Sequence, residues 1–319
     1  MRIPYELASA IATRAAKQPG LAKAAAQLSE TYRNREFASP ALKTSEQRLA
    51  YLMVRMPATF AACSRALAET SQAIQEFAPT SLLDLGAGPG TASWAAVESF
   101  PSIQTVSLVE RDTAMSSLGR ELMCESASES LRRATWTQAD LSQELQAENA
   151  DLVMMSYVLG ELSSAIAGQL VQRAWALTNQ VLVIVEPGTK VGFAQVERIR
   201  AAMISAGVEI AAPCPHLEQC PMATAGDWCH FSQRLERTAE HRQMKKGELG
   251  YEDEKFSYLA VSKVAVQRPE TRIVRHPLYR PKQVQLTLCT AAGLKQTTIT
   301  KSQGERYRAA KKADWGDGF

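Results

Sequence analysis

No apolar run in this chain of 319 residues approaches eighteen, so no membrane-spanning helix is expected. The opening residues, Met1-Arg-Ile-Pro-Tyr-Glu6, lack the continuous apolar stretch of a secretory signal, and secretion is not expected. Arg2, Arg14 and Lys17 on an amphipathic stretch leave an organellar transit peptide open, with Glu6 and Pro4 counting against it. The expected location is therefore cytoplasmic, or the mitochondrial matrix if the N-terminus is such a peptide. None of the six cysteines forms the tight C-x2-C pair usual in zinc modules. A dinucleotide fingerprint is missing too: after Gly86 and Gly88 its third glycine would fall at position 91, which is Thr91.

What is present is enough apolar residue for a core. Hydrophobic residues make up 45% of the chain, which argues against disorder, and the length allows one large domain or two modest ones. Net charge is +3 but uneven. Residues 261–319 hold twelve Lys/Arg against four Asp/Glu, a balance of +8, which leaves −5 on the first 260. A basic C-terminal stretch on a near-neutral body suggests a polyanion at that end, or simply a solubilising surface.

Residues 1–78 read as helical. Ile3, Leu7 and Ile11 recur on one helical face, Leu21 to Tyr32 repeats the habit, and Glu46 to Met56 and Ala58 to Phe77 follow, broken at Pro57. The organising stretch comes next. Ser81 to Leu85 is an apolar strand that runs through Asp84 into Gly86-Ala-Gly88-Pro-Gly90, and Thr91 to Ser99 reads as a helix behind it. A strand, glycine turn and helix hold nucleotide-like ligands in α/β sheets, since glycine lets backbone approach where a Cβ would clash. The spacing D-x-G-x-G-x-G resembles motif I of class I S-adenosylmethionine (SAM) methyltransferases. A second strand, Gln104 to Val109, ends at Glu110, twenty residues after Gly90, where an acid accepts hydrogen bonds from ribose hydroxyls. A third, Ala134 to Gln138, precedes Asp140, which in the methyltransferase pattern bonds the adenine amino group. The cofactor-binding candidates are thus Asp84, Gly86, Gly88, Gly90, Glu110 and Asp140. Asp151 to Met155 and Val181 to Val185 complete the strands of a parallel sheet. The exit of the fourth strand, Ser156 to Leu162, lacks the Asn/Asp-Pro-Pro-Tyr motif of amino-group methyltransferases. No general base can be named there, Tyr157 and Glu161 reading as structural.

Residues 212–231 depart from a plain methyltransferase. Cys214, Cys220 and Cys229 are separated by five and eight residues in loops braced by Pro213, Pro215 and Pro221. Cysteines at this density are more often metal ligands than disulfides where thiols stay reduced. Looser spacing suits an iron–sulfur cluster, which needs a fourth thiolate. Cys289, at the end of the apolar strand Val284 to Leu288, is the first candidate; Cys63 and Cys124 stand behind it, and His216 and His230 could substitute. Pro213-Cys214 also matches the Pro-Cys nucleophile of RNA cytosine-5 methyltransferases, but lies outside the fourth-strand exit. Ser232 to Lys246 reads as a basic helix, with Arg234, Arg237, His241 and Lys245 on one face to meet phosphates. Phe256 to Val261 is a strand that could pair with Val284 to Cys289 in a terminal hairpin, bringing Cys289 to the other three. The tail from Lys301 to Lys312 is again basic.

Over nearly its whole length the chain resembles the methyltransferase-like small-ribosomal-subunit assembly proteins, a family with bacterial members and mitochondrial relatives. The resemblance is carried by Arg55-Met-Pro-Ala-Thr, Leu83-Asp-Leu-Gly-Ala-Gly-Pro-Gly, Val185-Glu-Pro-Gly, Ala212-Pro-Cys-Pro-His with Cys220-Pro and Trp228-Cys-His-Phe-Ser-Gln-Arg, Glu252-Asp-Glu-Lys-Phe-Ser-Tyr, and Trp315-Gly-Asp. It implies an α/β fold: a class I SAM-methyltransferase, Rossmann-like sheet over 79–319, an N-terminal helical cap over 1–78, a Cys-rich metal-binding insertion at 208–254 and a basic C-terminal tail. It further implies SAM and an iron–sulfur cluster, 4Fe-4S, held by Cys214, Cys220, Cys229 and Cys289, with zinc as the alternative. The implied partner is the small ribosomal subunit and its 16S-type rRNA, met through Arg234, Arg237 and Lys245, with neither DNA nor membrane, by a chain monomeric off the ribosome. The resemblance does not establish methyl transfer. A SAM-binding assembly factor without turnover is the second reading, and a small-molecule methyltransferase with a structural zinc loop the third.

Overall fold

The computed structural model describes residues 1–16, 18, 20–34, 42–236 and 250–319. Four N-terminal helices come first: α1 (Tyr5–Ala15), α2 (Leu21–Asn34), α3 (Ser45–Val54) and α4 (Met56–Ala73). Thr44 starts α3 with a reciprocal capping box to Gln47. Pro57 lies in the first turn of α4, where its missing N–H has no intrahelical partner to lose, so it starts the helix.

The strands and helices then alternate: β1 (Ser81–Leu85), α5 (Thr91–Ser99), β2 (Thr105–Glu110), α6 (Thr113–Met123), α7 (Glu129–Arg132), β3 (Thr135–Gln138), β4 (Ala150–Ser156), α8 (Ser164–Ala176), β5 (Thr178–Pro187), α9 (Lys190–Ser205) and β6 (Glu209–Ala212). After a single helical turn, α10 (Pro221–Thr224), come β7 (Phe231–Glu236) and the long β8 (Tyr251–Ser262). Among the described residues the main sheet runs β3-β2-β1-β4-β5-β8-β6, with β7 paired to the first half of β8. Strands β1 to β5 pair in parallel, and β8 runs antiparallel to β5. The pleat divides the core into two layers. Leu82, Leu152, Met154, Val181, Val183 and Val185 face α4 and α5. Leu83, Leu85, Val153, Met155, Leu182 and Ile184 face the layer built on α8 and α9. The N-terminal helices belong to the first layer: Leu7, Leu52 and Leu67 lie in the same apolar cluster as Leu82.

Two sequence expectations fail here. Ser232–Glu236 is not helix but part of β7, whose Arg234 faces Asp253 of β8 in antiparallel register. Arg237, His241 and Lys245 lie outside the described residues. The antiparallel partners of β8 are β5, β6 and β7, not Val284 to Cys289. That segment is β11 (Gln283–Thr290), which belongs to a second sheet with β9 (Arg272–Ile273), β10 (Leu278–Arg280) and β12 (Gly293–Thr300), closed by the short helix α11 (Glu305–Ala310). Two strands within 208–254, β6 and β7, are thus members of the main sheet.

Candidate cofactor pocket and cysteine site

Strand order reverses between β1 and β4, and ligands of open α/β sheets bind in the crevice beyond the carboxyl ends of the strands at such a point. A pocket of about 840 Å³ lies there, lined by Gly86, Ala87, Gly88, Glu110, Asp140 and the 157–162 exit of β4, among others. Gly86, Gly88 and Gly90 all have positive φ. A Cβ on Gly88 would meet nothing within 4 Å, because this glycine faces the open pocket. A Cβ on Gly86 would lie 2.4 Å from the stiff Val158 side chain.

Glu110 sits at the rim with both carboxylate oxygens accepting backbone N–H groups, from Gly88 at 2.7 Å and Asp112 at 2.7 Å. A carboxylate has about four lone-pair sites, so acceptor capacity remains on the pocket side. Asp140, two residues past the end of β3, accepts from the Ser142 amide at 2.9 Å, and that bond is the first cause holding its carboxyl below the usual range. Arg111 spans from Asp140, 3.8 Å away, to Glu161 at 3.9 Å.

Asp84 and Gly90 are not among the residues lining the pocket; they lie beneath the turn. Asp84 is fully buried and accepts from the Ser93 hydroxyl at 2.7 Å and amide at 3.2 Å, fixing α5 against β1. Burial pushes its pKa up to about 7 against the Ser93 bonds, with Glu110 adding repulsion. Gly90 is a packing position, since a Cβ there would meet Met123 at 2.3 Å.

The pocket also holds Glu186, Glu254 and Arg55, to which the sequence reading gave no role, beside Tyr157. Glu186 is buried and accepts from the Val158 and Leu159 amides at 3.1 and 2.9 Å; burial raises its pKa to about 7. Tyr157, at φ +58°, donates its hydroxyl to Glu254 at 3.1 Å, and Arg55 grips both oxygens of Glu254. Tyr157 was marked only by its place at the exit of the fourth strand, and the others only by the blocks Arg55-Met-Pro, Val185-Glu-Pro-Gly and Glu252-Asp-Glu.

A second, apolar cavity of about 40 Å³ lies beside α9, with Cys214, Cys220, Cys229 and Cys289 all in its wall together with His216, Phe193, Met222 and Val274. The volume is enough for a few water-sized bodies, yet the lining offers mainly carbon and sulfur. All six cysteines are free thiols; Cys63 is buried in α4 and Cys124 is exposed after α6, both away from this wall. Burial raises the pKa of Cys214, Cys229 and Cys289, the last up to about 12. Neighbouring thiols add to the rise at Cys229. His216 Nε2 is 3.4 Å from Cys289 Sγ, while its buried Nδ1 has no partner. Two buried guanidiniums brace the Cys214 loop. Arg272 donates to the Pro213 carbonyl at 2.7 Å and to the Gly316 carbonyl at 2.7 Å, and pairs with Glu69. Arg200 reaches Cys214 itself, with Nε 3.1 Å from Sγ. Among the described residues, no group of three or more His, Cys, Asp or Glu side chains is placed to hold a single metal ion.

Of the basic residues expected to meet phosphate, Arg234 is exposed but paired with Asp253 at 2.8 Å and stacked over Tyr251. Lys295, Lys301, Lys311 and Lys312 are exposed on the C-terminal module.

A family model described as mitochondrial small ribosomal subunit Rsm22 matches residues 45–319. The chain belongs to the Rsm22 family. This Rsm22-family chain is 30% identical over 289 residues to the human mitochondrial ribosome assembly protein METTL17, covering 84% of this chain and 61% of that protein. It is 26% identical over 335 residues to the mitochondrial Rsm22-cox11 tandem protein 2 of Schizosaccharomyces pombe, covering 86% of this chain and 43% of the relative. The chain therefore spans about two-fifths to three-fifths of the length of the curated relatives it matches. Among solved structures, magnesium protoporphyrin IX methyltransferase of Synechocystis, with bound SAM, aligns at 12% identity and a TM-score of 0.42 over 74% of this chain and 91% of that one. A precorrin-6y C5,15-methyltransferase from Geobacter metallireducens aligns at 13% identity and 0.41 over 72% and 94%. The strand order and the glycine turn give this Rsm22-family chain the class I SAM-methyltransferase fold.

Proposed function

We propose that this chain is a SAM-binding, methyltransferase-fold assembly protein of the small ribosomal subunit that engages rRNA. The observation that carries the cofactor is the open pocket over Gly88, flanked by Glu110 and Asp140. Gly86 and Gly88 would admit the methionine end, Glu110 the ribose and Asp140 the adenine. When bound, SAM supplies a methyl group already activated on a sulfonium, so an enzyme built on it needs chiefly to hold an acceptor in line. The acceptor side favours binding without turnover. Tyr157, Glu254 and Arg55 are engaged with one another where a base would have to stand. The relatives' names support the ribosomal partner and a mitochondrial rather than a cytoplasmic location. With Arg234 tied to Asp253, phosphate contact falls to the exposed lysines of the C-terminal module, and the protein off the ribosome is a monomer.

Cys214, Cys220, Cys229 and Cys289 would hold the metal. A single tetrahedral zinc at 2.3 Å from each sulfur needs sulfurs about 3.8 Å apart. The four thiols line one common cavity, and their loose sequence spacing without a C-x2-C pair favours the larger centre, a 4Fe-4S cluster. Isothermal titration of SAM into wild type, Gly88→Ala and Glu110→Ala tests the cofactor reading: binding to the wild type and at least tenfold weaker binding to both variants are expected. No heat from the wild type at millimolar SAM refutes it.

A further inference from the structure

Arg200 lies on α9, and only 4% of its surface is exposed. Its Nε meets Cys214 Sγ at 3.1 Å, and its Nη2 donates to the carbonyls of His216 at 3.0 Å and Glu218 at 2.8 Å. One rigid fork thus fixes the thiol-bearing residue and the loop after it in a single plane. Arg272, the other buried guanidinium, has a carboxylate partner in Glu69. Arg200 has no such pair: among the described residues, no carboxylate lies within ion-pair distance of it, and the acidic groups around it are Cys214, Cys220 and, one turn earlier on α9, Glu197. A buried cation with no directly paired carboxylate is stabilised by further negative charge close by. Four thiolates around a dication or a doubly charged cluster would leave a net negative centre in the cavity that Arg200 lines. Hydrogen bonds and charge at ligating sulfurs tune such centres, and planar guanidinium holds its partners in a geometry a flexible ammonium does not.

We propose that Arg200 is the positioning residue of the four-cysteine centre, holding Cys214 in ligating orientation and offsetting the thiolate charge. The inference rests on the metal reading above. The test uses the full chain as wild type, Arg200→Met and Arg200→Lys, each reconstituted anaerobically with iron and sulfide after circular dichroism has checked the fold. Iron per chain, the rate of iron loss to a chelator and the midpoint potential are measured. Wild type should hold iron. Arg200→Met should lose it 10–100-fold faster, the range typical of outer-shell partners, and its potential should move to more negative values as positive charge and a sulfur hydrogen bond are removed. Arg200→Lys should keep most of the potential, because the charge stays, but lose iron faster than wild type, because one ammonium cannot serve the sulfur and two carbonyls in the same plane. Faster loss from Arg200→Met at an unchanged potential would reduce Arg200 to a loop brace and overturn the proposal. Should Arg200→Met fail to fold, iron loss from Arg200→Lys at the wild-type rate overturns it as well. A wild type that takes up no iron overturns the metal reading itself, and the role of Arg200 with it.

Discussion

Replacing Gly88 with alanine separates the cofactor's needs from the fold's. Gly88 has φ +56°, and the left-handed region costs an L-residue roughly 1–2 kcal/mol. Nothing lies within 4 Å of the added Cβ, so strain is the whole penalty to the free protein. The amide of Gly88 still reaches Glu110, and the rim keeps its shape. The variant should fold, melt a few degrees lower, and hold its far-ultraviolet dichroism. SAM must pass over the same spot closely enough that a methyl group has no room. Loss of at least tenfold in affinity, about 1.4 kcal/mol, is expected from calorimetry. Gly86→Ala is the contrast, because its Cβ would meet Val158 at 2.4 Å and damage the fold before any ligand arrives. Unchanged SAM affinity in a folded Gly88→Ala protein would show that the cofactor does not lie on this turn.

Other outcomes follow from the same geometry. Asp84 and Glu186, each raised to about 7 by burial, hold protons in the folded chain that the unfolded chain releases between about pH 4 and 7. Stability should therefore fall as pH rises through that window, and Glu186→Gln should flatten the fall in urea titrations; an equally steep profile would mean Glu186 stays charged in the fold. Cys289→Ser should lower iron content after anaerobic reconstitution, while Cys63→Ser and Cys124→Ser should not; full iron in Cys289→Ser would turn attention to His216 as the fourth ligand. Binding to small-subunit rRNA should weaken linearly in log–log with salt, and replacing Lys301, Lys311 and Lys312 with alanine should reduce the slope by up to roughly 0.7–0.9 per lost phosphate contact. An unaltered slope would place the RNA elsewhere.

What could be read in advance was whatever is encoded locally. The apolar runs of β1, β4 and β5, the acid at Glu110 and the glycine spacing set the sheet and its crevice. Motif spacing did not distinguish lining from support: Asp84 and Gly90 belong to the motif yet lie under the turn, because side-chain direction depends on the strand's exit into α5. Ser232–Glu236 failed for a different reason. Buried Phe231 and Leu235 stand four apart, a spacing that fits a helix as well as a strand, and pairing with β8 decides the matter from some twenty residues away. Cys289 was placed beside the other cysteines through a hairpin that does not exist; it arrives there on a separate sheet. Arg200 carried no signal, since its partners are a sulfur and two carbonyls on a loop that folds back onto α9.

The most direct measurement is a cryo-electron microscopy map of the chain, purified anaerobically and supplied with SAM, on a small-subunit particle. The account predicts density for SAM between Gly88, Glu110 and Asp140, a metal centre among the four cysteines, and rRNA phosphates against the C-terminal lysines, with no base reaching the methyl group past Tyr157. A bound chain with an empty pocket at millimolar SAM, or one whose C-terminal lysines touch no RNA, would contradict it.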